Sequence, residues 1–92
     1  MVYIITYDIN SAVKNYNDLY SGIKQLTGDF QHPLESTWLV YTNDINLTPQ
    51  VIYNRLRPFI NDKDYLFVTR MAVPYYGWLS RNVWEWLKNR EI

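Results

Sequence analysis

Cysteine is absent from this chain, which removes disulfide frameworks, thiolate metal sites and cysteine-based nucleophilic catalysis together. It also leaves the redox compartment unread. Histidine occurs once, at His32, so no histidine pair is at hand for zinc, and a packing role is expected of it. The three glycines, Gly22, Gly28 and Gly77, stand apart from one another, which excludes a glycine-rich phosphate loop. No apolar run approaches the roughly 20 residues of a membrane span, and no charged stretch followed by an apolar one opens the sequence. The expectation is a soluble, cytoplasmic protein with no membrane partner. Net charge is lacking too: nine basic and nine acidic side chains cancel, so the whole chain carries no strong nucleic-acid footprint.

What the chain has in quantity is apolar and aromatic surface. Over 92 residues, 48% are hydrophobic and 17% aromatic, more than one small core is expected to hide. The run Met1-Val2-Tyr3-Ile4-Ile5-Thr6-Tyr7-Asp8 is a β-strand pattern that delivers a carboxylate at a sheet rim. Tyr16, Leu19, Tyr20, Ile23 and Leu26 then recur at helical spacing before Gly28, which places a helix over about 15 to 27. Phe30–Leu34 reads as a short strand carrying Pro33, fit for an edge or bulge, and 36–42 as a longer one paired with it in a hairpin. Thr48-Pro49 caps a helix over about 49 to 60, with Ile52, Leu56, Phe59 and Ile60 as its apolar stripe and Pro58 distorting its last turn. Residues 64–71 form the fourth strand. A connector, Val73-Pro74-Tyr75-Tyr76-Gly77, leads to Ser80 as cap of a short helix over about 81 to 90.

This βαββαβ order implies an α+β, ferredoxin-like arrangement: a four-stranded antiparallel sheet with two helices on one face, plus a C-terminal short helix. One domain spans 1–92, with its core in 1–71 and an aromatic extension over 72–92. The other sheet face is expected to be bare. Residues around Trp38 and Tyr41 then need water or a second subunit, and the aromatic surplus favours a homodimer. Alternatively, the C-terminal segment folds over that face or swaps onto a partner's sheet edge.

Candidate site residues fall in three groups. Asp8 is the carboxylate at the rim. Charge is divided unevenly, with seven of the nine basic residues in 47–92, so a phosphate-facing patch would draw on Arg55, Arg57, Arg70, Arg81 and Arg90. Solvated helix surface is the plainer alternative. Tyr75, Tyr76, Trp78, Trp84 and Trp86 lie within twelve residues, interleaved with Arg81, Lys88 and Arg90. Such a composition stacks bases or nucleotides, with Trp84 and Trp86 as platforms, and it equally glues a protein interface, to a second copy or to another protein. Ser36 and Thr37 beside Glu35 have no recognisable base and read as ordinary strand-start residues.

The opening Tyr3-Ile4-Ile5-Thr6-Tyr7-Asp8-Ile9, with the βαββαβ order in under a hundred residues, resembles the small CRISPR-associated adaptation nuclease family, the second of the two near-universal adaptation proteins. The virulence-associated protein D group resembles it more distantly. Ser36-Thr37-Trp38-Leu39-Val40 and Arg55-Leu56-Arg57-Pro58 are similar to segments of uncharacterised bacterial and phage relatives of that family, and the resemblance covers about residues 1–71. It implies a dimer in which the aspartate ending the first strand, here Asp8, holds magnesium with its symmetry mate for phosphodiester hydrolysis in antiviral defence. Departures are the missing basic residue after Asp8 and the Trp-rich tail. Without the metal role, Asp8 would cap the following loop by accepting backbone amides.

Overall fold

The computed structural model describes residues 1–10 and 16–90. Its elements are β1 (Val2–Asp8), α1 (Tyr16–Thr27), β2 (Phe30–Leu34), β3 (Thr37–Tyr41), α2 (Pro49–Leu56), β4 (Tyr65–Arg70) and α3 (Arg81–Arg90). The strands form one sheet in the order β2-β3-β1-β4, every neighbouring pair antiparallel. β1 is therefore interior, bonded on both sides, which is why its run is apolar on both faces: Val2, Tyr3, Ile5 and Tyr7 are all buried. This is the expected α+β fold, compatible with a ferredoxin-like arrangement extended by a C-terminal helix.

Local chemistry fixes the element ends. Thr48 is extended and its hydroxyl accepts from the Val51 amide at 3.2 Å, with Pro49 in the first turn of α2. The expected run to residue 60 is cut short: α2 ends at Leu56, and Arg57–Phe59 tightens into a single 3-10 turn because Pro58 has no amide to donate. Gly28 stops α1 with φ 75°, a left-handed conformation that a side chain would strain. The expected start of that helix at 15 lies outside the described residues.

Two apolar layers flank the sheet. Leu19 and Ile23 of α1 and Ile52 and Leu56 of α2 pack on Tyr3, Ile5 and Tyr7 of β1 and on Trp38 and Val40 of β3. Trp38 thus belongs to the helix-covered face, contrary to the expectation that grouped it with Tyr41; a period of two pairs Trp38 with Val40 and leaves Leu39 and Tyr41 opposite. Its ring is 2% exposed. Trp38 Nε1 donates to Tyr7 Oη at 3.1 Å, Tyr7 donates to the Glu35 carbonyl at 3.0 Å, and the His32 ring stacks on Trp38 with centroids 4.0 Å apart. Burial, with Tyr20 beside it, pushes the Tyr7 phenol above the ordinary tyrosine range. His32 is a packing residue.

On the second face, Val83, Trp86 and Leu87 of α3 pack over Val2 and Leu39, with Ile4, Tyr41 and Met71 around them. The C-terminal segment therefore covers one end of the bare face within the same chain. The cover is partial. The register places Thr6 beside Phe67 and Asp8 beside Tyr65 on this face, and Phe67 and Tyr65 remain 63% and 69% exposed.

Candidate functional site

The uncovered end of the second face is the most distinctive surface of the molecule. β1 is pinned there by Thr6 Oγ1, which lies 3.2 Å from both Thr37 Oγ1 and the Ser36 carbonyl. Thr6, Asp8, Tyr65 and Phe67, with Tyr7 and Leu66, line an open hollow of about 390 Å³. Apolar rings dominate its walls. A second hollow of about 300 Å³, lined by Tyr7, Asp8, Ile9, Tyr16, Glu35 and Ser36, lies on the other side of Asp8 and is more polar.

Asp8 sits exposed between these hollows. Among the described residues its carboxylate takes one side-chain hydrogen bond, from Asn10 Nδ2 at 3.4 Å. The loop after β1 is instead tied by Asp64, which is 8% exposed and accepts the Asn10 amide at 2.7 Å and the Asn61 amide at 2.8 Å. The turn Asn61-Asp62-Lys63-Asp64 was the available signal for that role, because an aspartate closing a polar turn bonds nearby amides. Magnesium prefers near-octahedral oxygen coordination, usually through one or two carboxylates and several waters. Glu35 shares the more polar hollow with Asp8, and no set of three His, Cys, Asp or Glu side chains is gathered among the described residues.

The five arginines do not converge. Arg55 and Arg57 belong to the helix-covered side; Arg57 bonds Asp62 at 2.8 Å and the Ile60 carbonyl at 2.9 Å. Arg81 and Arg90 belong to α3 on the opposite face, Arg81 pairing with Glu85 at 3.1 Å and Arg90 with Asp29 at 2.8 Å. Arg70 ends β4 opposite Tyr3. Only Arg55 and Arg70 of the five make no ion pair among the described residues.

The tryptophans of α3 face inward. Trp86 is 7% exposed and its Nε1 donates to Asp29 Oδ1 at 2.8 Å, while Trp84 is partly buried against the same cluster. Arg90 lies over the Trp86 ring, 4.6 Å from its centroid, and its Nε donates to Asp29 Oδ2 at 2.8 Å. Asp29 thus holds both residues, and its two partners, Arg90 first, keep its carboxyl below the usual carboxylate range. No local pattern marks it, since the partners lie 57 and 61 residues away. Trp78 and Tyr76 of the connector are almost wholly exposed. No helix among the described residues is long and apolar enough to cross a membrane.

No protein-family model matches the chain, and no curated protein is significantly similar to it in sequence.

Proposed function

We propose that the chain is a homodimeric scaffolding module, related to the small CRISPR-associated adaptation nuclease family, that works by contact through the β4 side of its sheet. The observation carrying this reading is the pair Tyr65 and Phe67, exposed side by side on a face whose other end α3 has closed. Leaving such rings in water rather than burying them forgoes roughly 1.5–3 kcal/mol each. A small domain has few kilocalories to forgo. The resemblance of residues 3–9, 36–40 and 55–58 supports the kinship, and a dimer is what that kinship implies.

A contact role is favoured over hydrolysis because Asp8 is exposed, with only Glu35 beside it in the polar hollow and no third ligating side chain gathered there among the described residues, and over phosphate binding because Arg57, Arg81 and Arg90 are already engaged by acidic side chains. Phe67→Lys places a charge at the centre of the surface while leaving the helix-covered core untouched. Light scattering should find a dimer for the natural chain and a monomer for the variant, with thermal melting little changed. Equal masses for both would remove this surface from the reading.

A further inference from the structure

The two edges of the sheet are built differently. β2, one edge, carries Pro33 and an irregular register between Gln31 and Leu34, both of which spoil pairing with a further strand. β4, the other edge, runs Tyr65-Leu66-Phe67-Val68-Thr69-Arg70 without proline, glycine, bulge or any charge before its last residue. Such an edge is a template for another strand. Its direction is set by the ladder: the Met71 amide donates to the Val2 carbonyl at 2.9 Å, so residues of odd number turn their amides and carbonyls toward β1. Leu66, Val68 and Arg70 therefore turn theirs outward.

From this edge we infer that β4 pairs antiparallel with β4 of a second copy, about a two-fold axis beside Phe67, joining two four-stranded sheets into one. The inference rests on the dimer proposed above and specifies how it forms; since β1 lies inside β4, both β4 strands then separate the two Asp8 carboxylates, unlike the Asp8-centred dimer that the resemblance implies. A two-fold axis perpendicular to the sheet keeps like faces together, and placed beside Phe67 it sets Phe67 opposite Phe67 of the other copy as a non-hydrogen-bonded pair. Leu66 and Val68 then exchange main-chain bonds across the axis on either side. The same register sets Tyr65 against Thr69 and brings Arg70, which has no ion pair among the described residues, to the turn that carries Asp62, a 98% exposed side chain that it would share with Arg57. Opposite charges meet at both ends. A second copy is thus the occupant that this edge matches, and the two half-open faces become one continuous apolar platform.

The test uses the absence of native cysteine. In the full chain, Phe67→Cys creates a single thiol, and a non-hydrogen-bonded antiparallel pair has the Cα separation of about 4.5 Å that a disulfide accepts. Mild oxidation at micromolar concentration should convert Phe67→Cys to a covalent dimer, while Tyr65→Cys, displaced from the axis, stays largely monomeric on a denaturing gel. Val68→Pro removes an outward amide without touching the β1 ladder and should raise the dimer dissociation constant at least about tenfold, its fold being checked by circular dichroism. A natural chain that is dimeric, yet fails to cross-link at 67 or cross-links equally at 65, would overturn the edge pairing while leaving the dimer. A monomeric natural chain would overturn both.

Discussion

Asp29 accepts from Trp86 Nε1 on one carboxylate oxygen and from Arg90 Nε on the other, and so clamps the last turn of α3 to the junction between α1 and β2. Charge-assisted bonds are worth about 1.5–3 kcal/mol when well formed. The Arg90 and Asp29 side chains keep 25% and 38% of their exposure, so solvent screening lowers that figure, and Asp29→Ala should cost about 1–2 kcal/mol in urea unfolding. Because the folded carboxyl is held below its ordinary 3.8, its contribution is complete above that pH and is lost as pH falls through the folded value. The gap between the natural chain and Asp29→Ala should therefore close on acidification below about pH 4; a gap that widens there would contradict the assignment. Asp8 is the opposite case. Millimolar magnesium should leave the melting temperature of the natural chain within about 1 °C of that of Asp8→Asn, because exposed carboxylates with no third ligating side chain among the described residues bind the ion weakly. A large magnesium-dependent shift, abolished in Asp8→Asn, would restore the metal-dependent reading.

α3 owes its place to packing more than to its clamp. Leu87 is 1% exposed beneath it, and Leu87→Ala should cost about 2–4 kcal/mol and raise binding of a hydrophobic dye, as the cluster with Val2 and Leu39 opens. An unchanged unfolding midpoint would mean that α3 is not seated on the sheet. How such elements form was legible in the sequence: the β run at the N-terminus, the stop at Gly28, the cap at Thr48 and the helix after Ser80 all rest on local chemistry. Where α3 sits was not. A cluster of tryptophans among arginines has the same composition whether it stacks bases or packs inward, and Asp29 and Leu39, which decide the matter, lie dozens of residues away. The face of Trp38 is hidden for a related reason: its strand is apolar on both sides, so alternation alone gives no direction until α1 and α2 are in place.

The assembled molecule closes one face with two helices and one end of the other with a third, and leaves Tyr65 and Phe67 of β4 exposed there, as Tyr76 and Trp78 are in the connector. The Asp8 region is legible as a rim, because the strand that ends there is unmistakable; the partner surface beside it is not, because Tyr65 and Phe67 read as ordinary strand residues until register puts them on the uncovered end. A chain of this size gains stability from association by mass action, so the dimer should also raise the melting temperature with protein concentration. Sedimentation equilibrium of the unmodified full chain, over micromolar concentrations at moderate salt, is the most direct measurement. Self-association to twice the monomer mass of 11.1 kDa, insensitive to added magnesium, is the predicted result. A single species at the monomer mass across the whole range would contradict it.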